Sequence, residues 1–133
     1  MTNLANKDHN ELIQYLFNKE SGLALPKPYE RDIFLFDTYV AGTTHVENIE
    51  AIGNSLQEGD KLVFYREPNN PHDPQAIRIE TIQEVKIGYV PQQDNVIFSR
   101  LMDAGKALFG KVLEKEMRGN WLRIKIKIYL HES

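Results

Sequence analysis

From Trp121 to Leu130 the chain alternates without a break. Leu122, Ile124, Ile126, Ile128 and Leu130 fall on one side, and Trp121, Arg123, Lys125, Lys127 and Tyr129 on the other. A period of two is the geometry of a strand, so the first set predicts a core face and the second an outward face. About Ala107 to Met117 reads as its partner strand, joined to it by a turn at Gly119–Asn120. Earlier strands are predicted at Ile33–Ala41, at Lys61–Glu67 with Leu62 and Phe64 on one face, at Ala76–Ile82 with Ile77 and Ile79 on one face, and at Val85–Val90.

Two segments depart from that period. Thr44 with Glu47 three residues on is a capping-box pattern, and Ile49, Ile52 and Leu56 then share one helical face. Pro91 suits the start of a second helix that would bury Ile97, Leu101 and Ala104 and stop at Gly105. Residues 1–30 read as an extension. Asp8 and Glu11 form a capping box, Leu12, Ile13, Leu16 and Phe17 recur at helical spacing, Gly22 suits the stop, and Pro26 and Pro28 stiffen a linker. After that helix the order is β-α-β-β-β-α-β-β. Six short strands are too few for two good sheets, and an open sheet would expose its edges. A small closed or half-closed barrel with two helices over its ends or flank is the economical solution for residues 31–133.

Composition narrows the function. The 133 residues are 41% hydrophobic and 26% charged, the balance of an ordinary folded domain. With no cysteine, disulfides, thiolate catalysis and cysteine-based zinc sites are excluded. No apolar run approaches the roughly 18 residues of a membrane span, and the polar start, Met1 to Asn10, carries no signal core, so a cytoplasmic protein is expected. The net charge of −3 is unevenly spread: residues 1–60 hold 4 basic and 10 acidic side chains, residues 111–133 hold 6 and 3. The C-terminal end is therefore a basic zone on an acidic chain.

Two places can carry chemistry. The outward face of the last strand sets Arg123, Lys125 and Lys127 between Trp121 and Tyr129, a pattern suited to tracking phosphates and stacking bases; it equally describes a solubilising face with edge-protecting lysines. The second is Pro68-Asn69-Asn70-Pro71-His72-Asp73-Pro74, a rigid loop that crowds Arg66, Glu67, Asn70, His72 and Asp73 together. Such loops hold binding residues, although Asn and Asp also serve only to fix turns. Catalytic patterns are lacking. The serines sit in no nucleophile elbow, no glycine-rich phosphate loop is present, and His9, His45, His72 and His131 lack metal-ligand spacing. Neither a cofactor nor a metal is expected.

The segment Arg66-Glu67-Pro68-Asn69-Asn70-Pro71-His72-Asp73-Pro74-Gln75-Ala76-Ile77-Arg78-Ile79 resembles the signature of the HIRAN domain family. Tyr39 to Gly42 before it, Gly59-Asp60, and Ile87-Gly88-Tyr89-Val90-Pro91 after it stand in the matching order, so the resemblance covers about residues 33–130. It implies a six-stranded OB-like or SH3-like barrel with two flanking helices, mainly β, here with an extra N-terminal helix. It also implies capture of single-stranded DNA at a free 3′-hydroxyl end, the role of this domain in larger eukaryotic DNA-repair ATPases, whose motor and zinc modules these residues do not encode. On that resemblance Tyr39 matches an aromatic that stacks on the terminal base, and Asp73, with Asn70 beside it, matches the acid that accepts from the terminal hydroxyl. His72 stands where tyrosine is common, and Thr38 where an arginine would reach a phosphate.

The leading expectation is thus a nucleic-acid-binding module and not an enzyme. Tyr39 and His72 would stack, Asn70 and Asp73 would read the end, and Arg66, Arg123, Lys125 and Lys127 would contact phosphates. Two rivals stand beside it: a protein-interaction module working through the barrel surface or the N-terminal helix, by self-association or with a protein partner, and a hydrolase acting on nucleotide or DNA ends through His72 and Asp73.

Overall fold

The computed structural model describes residues 30–132, so the N-terminal extension and its helix lie outside the described residues. Six strands, β1 (Arg31–Tyr39), β2 (Lys61–Arg66), β3 (Ile77–Thr81), β4 (Lys86–Tyr89), β5 (Ala107–Arg118) and β6 (Trp121–Glu132), form one curled antiparallel sheet in the order β1-β6-β5-β2-β3-β4. A short 3-10 turn (Thr43–His45) and helix α1 (Ile49–Ser55) lie between β1 and β2, and helix α2 (Gln92–Asp103) between β4 and β5. The sheet rolls until its two ends meet. Ala41, just past β1, pairs with Tyr89 of β4 through reciprocal backbone bonds of 2.8 and 2.9 Å. This single bridge makes the curled sheet a barrel, as expected.

The alternation of β6 is realised from Trp121 to Ile128, and Leu130 beyond it is half-buried against the core. Ile124, Ile126 and Ile128 are completely buried and Leu122 nearly so, facing Leu62, Ile77, Ile79 and Ile87 across the core. Each such side chain contributes roughly 1.5–3 kcal/mol by leaving water. The β5–β6 hairpin turns through Gly119–Asn120, with Gly119 at φ 62 and Asn120 outside the positive region, the signature of a type II′ turn. A bulge between Val112 and Glu114 adds a residue to β5 and deepens the curl.

Both helices differ in detail from the pattern. The capping box at Thr44 and Glu47 is not used: Asn48 caps α1 at φ 59 without a side-chain bond. Ile49, Ile52 and Leu56 still pack on the core. In α2 the predicted face is rotated. Ile97 is 68% exposed, whereas Asn95, Phe98 and Ser99 are buried. Two polar residues displace an isoleucine from the inner face because each has a hydrogen-bond partner in the loop below, Asp73 for Asn95 and Gln75 for Ser99. The helix does end as expected, with Gly105 at φ 92 and Lys106 donating back to Leu101. Among the described residues no helix is long and apolar enough to cross a membrane.

Candidate functional site

Residues 67–76 form the wall of a cleft at the barrel's closing bridge. Three prolines prevent regular structure there, and side chains take over the organisation. Asn70 Oδ1 accepts from the backbone N–H groups of His72 (2.8 Å) and Asp73 (3.1 Å), and its Nδ2 donates to Glu67 Oε1 at 2.9 Å. Asp73 Oδ1 accepts from the Gln75 N–H at 2.9 Å, while Oδ2 accepts from Asn95 Nδ2 of α2 at 2.7 Å. The carboxylate is thereby fixed from both sides, by its own loop and by the helix across the cleft. Its partners are not the His72 ring, so the pair lacks the imidazole–carboxylate bond that a hydrolytic relay requires.

Glu67 anchors the base of this loop. It accepts from Asn70, from the Tyr89 hydroxyl (2.8 Å) and from Arg78 Nη1 (2.7 Å), which also binds Glu80 through Nε. Burial raises the Glu67 pKa, but the bonds from Asn70, Tyr89 and Arg78 together outweigh it and hold the carboxyl below its ordinary value. A depressed folded-state pKa contributes stability that is present above the ordinary carboxyl value and is lost as pH falls through the folded value. Glu67→Gln should therefore lower the thermal midpoint more at neutral pH than below the carboxylate range. An equal loss at both would show that the charge is not what matters.

The cleft has a volume of about 560 Å³ and is lined by Asn70, His72 and Asp73 together with His45, Lys86, Tyr89 and Asn95, among others. Three predicted site residues thus converge. A second group assembles on the outer face of the sheet. The Arg123 guanidinium lies 4.1 Å above the Tyr39 ring and 6.0 Å from Trp121, and the Lys125 ammonium is 6.0 Å from Tyr39. The two groups adjoin. Val40 is buried, so its neighbours Tyr39 and Ala41 both point outward, and Ala41 lines the cleft. Lys127 lies farther along, with its ammonium 5.7 Å from Phe34. Arg66 is used differently: its guanidinium binds the Asp103 carboxylate and the carbonyls of Ala76 and Pro74, so it clamps the loop and has little left for a phosphate. Thr38 is buried and donates to Asp94 at 2.7 Å, tying β1 to α2.

A family model for the HIRAN domain matches residues 33–133 of this chain. The chain belongs to the HIRAN domain family. Its structure is similar to the crystal structure of a protein from Lactobacillus plantarum, with a TM-score of 0.73 and 27% identity over 78% of this chain and 99% of that one. It is also similar to the crystal structure of the HIRAN domain of human HLTF (TM-score 0.60, 15% identity, 77% and 80% covered). The NMR structure of that domain in its DNA-bound conformation aligns at a TM-score of 0.54 and 16% identity, over the same shares. No curated protein matches the chain in sequence.

Three residues of this HIRAN cleft were not singled out by the sequence reading. Lys86 places a cation at the rim, 4.6 Å from the Tyr89 ring. Tyr89 supplies an aromatic wall. Asn95 holds Asp73 and is itself buried, with Oδ1 lacking a hydrogen-bond partner among the described residues. An asparagine one turn before Phe98 was the available signal. A buried amide on an amphipathic helix implies a polar partner beneath it.

Proposed function

We propose that this HIRAN domain binds single-stranded nucleic acid and prefers a free 3′-hydroxyl end. The observation that carries the proposal is the carboxylate of Asp73, held at the wall of the cleft by Asn95 and Gln75 with Asn70 and His72 beside it. An ionised carboxylate only accepts hydrogen bonds. It welcomes a terminal hydroxyl and repels a terminal phosphate, so one group separates an end from a continuing backbone. The DNA-bound state of the HLTF HIRAN domain supports the ligand class.

The other residues follow from this placement. Tyr39 stacks on a base while Arg123, whose guanidinium already lies over its ring, extends the platform; guanidinium planes serve as stacking partners for bases as aromatic rings do. His72, exposed at the cleft, offers a second ring. Lys86, Arg123 and Lys125 are the cations within reach of phosphates beside the cleft. On this reading the domain is a binding module, not a catalyst. Fluorescence anisotropy with a labelled oligonucleotide tests it, comparing 3′-hydroxyl with 3′-phosphate ends at low and physiological salt. Preference for the hydroxyl with a clear salt dependence is expected. Equal binding of both ends would refute end reading, and no binding at low salt would refute the ligand class.

A further inference from the structure

The outer face of the sheet carries more than the notional platform at Tyr39. Lys61 of β2, Lys111 of β5 and Lys127 of β6 form a row across three adjacent strands, since Lys61 pairs in register with Lys111 and Lys111 with Lys127. Directly opposed like charges destabilise a sheet. These strands are the interior ones, β6-β5-β2, so the lysines do not protect an edge. Among the described residues none of the three has a carboxylate within 4.0 Å, whereas Arg123 lies beside Glu116. The chain as a whole is acidic, which makes the concentration of cations here a local feature.

Each lysine sits over an aromatic ring: Lys61 is 4.9 Å from Phe109, Lys111 is 5.3 Å from Tyr129 and Lys127 is 5.7 Å from Phe34. The rings themselves are continuous. Phe109 and Tyr129 stack at 5.3 Å with 12° between planes, and Phe34 meets Tyr129 edge-on at 5.9 Å. Phe34 is 50% exposed, a large apolar surface on an otherwise charged face. On the outward face of β6, Arg123 beside Tyr39 and Lys127 beside Phe34 are four residues apart, so the lysine row lies roughly 13 Å from the cleft's stacking platform, along the same face.

We infer that this row binds the internal part of a single strand whose end occupies the cleft, the lysines meeting successive phosphates and Phe34 stacking a base. The inference rests on the proposed end-binding function and assigns the same ligand a second, end-independent contact. A row of cations interleaved with rings is what an unpaired polyanion with aromatic bases requires.

The test uses the full chain and its Lys61→Gln/Lys111→Gln/Lys127→Gln variant, with folding checked by circular dichroism. Anisotropy would be measured for 3′-hydroxyl oligothymidylates of about four and about twelve nucleotides, which span the usual range for such barrels. The wild type should bind the longer one tighter by roughly tenfold or more, the worth of one stacked base. The triple variant should lose that advantage, lower the salt slope for the longer strand by about 2, and keep its affinity for the shorter one. A wild type without length dependence, or a variant that keeps both the advantage and the slope, overturns the inference. End reading is judged separately, on the short strand with 3′-hydroxyl and 3′-phosphate ends. Loss of hydroxyl preference with the length advantage intact removes the end site and leaves this face standing.

Discussion

Gly88→Ala should cost about 3 kcal/mol of stability and disorganise the cleft with it. Gly88 lies in β4 at φ 152, and a Cβ built there would stand 2.4 Å from the Ala41 carbonyl oxygen and 2.5 Å from Val40 Cγ1. The Ala41 contact is with backbone, and that backbone belongs to the bridge through which the sheet closes on itself. The side chain cannot be accommodated without opening the barrel at the point where Ala41, Tyr89 and the loop of residues 67–76 come together. Gly119→Ala is the informative control. Gly119 is also left-handed, at φ 62, but has nothing within 4 Å, so it should lose only the conformational part, about 1 kcal/mol. Urea melts of both variants would give the difference, with an unchanged slope for Gly119→Ala. If the two substitutions cost the same, the close approach at the bridge is not what holds the barrel shut.

The importance of Gly88 also marks where the sequence stops being legible. The strands could be read because burial on one face imposes a period of two, and β6 displays it without exception from Trp121 to Ile128. The loop could be read because three prolines leave no alternative. What could not be read was which distant segments meet. Ala41 against Gly88 is a contact made possible by an absent side chain, and nothing local to either residue announces it. The α2 face was misread for a related reason. Hydrophobicity favours Ile97 as the inward residue, yet Asn95 and Ser99 hold that face through Asp73 and Gln75, which lie over twenty positions earlier in the chain. Arg66 looked like a phosphate contact because it is a cation in a binding motif. Only the fold brings Asp103 to it and lowers that carboxyl below its usual range by hydrogen bonding. Tyr39 and Arg123, in turn, were each legible as candidates, but not as one stack. The residue types of the site were visible, then, and the partnerships that decide their roles were not.

Asp73→Asn should abolish discrimination between 3′-hydroxyl and 3′-phosphate ends while leaving the domain folded. The reasoning is in the hydrogen bonds. Asp73 Oδ1 accepts from Gln75 N–H, and an amide oxygen can continue to do so. Asp73 Oδ2 accepts from Asn95 Nδ2, and an amide nitrogen there would oppose another donor. Asn95 can turn its own amide over and present Oδ1, the buried acceptor that has no partner among the described residues. The bond between the two side chains is then kept, the unpartnered position passing from Asn95 Oδ1 to its Nδ2, and what has gone is the negative charge. A hydrogen bond to a charged group is worth about 1.5–3 kcal/mol, so a hydroxyl-ended strand should bind roughly 10- to 100-fold more weakly. A phosphate-ended strand should gain instead, because the repulsion is gone. Asp73→Ala makes a poor substitute, since it strands Asn95 and the Gln75 N–H without a partner and mixes lost stability into lost affinity. Anisotropy titrations of both ends against the wild type and Asp73→Asn, each checked for an unchanged melting curve, would resolve the matter. If Asp73→Asn keeps the wild-type ratio between the two ends, the carboxylate does not read the end. The site would then have to be sought among the cations of the outer face, where a strand binds by its backbone and an end has no special standing.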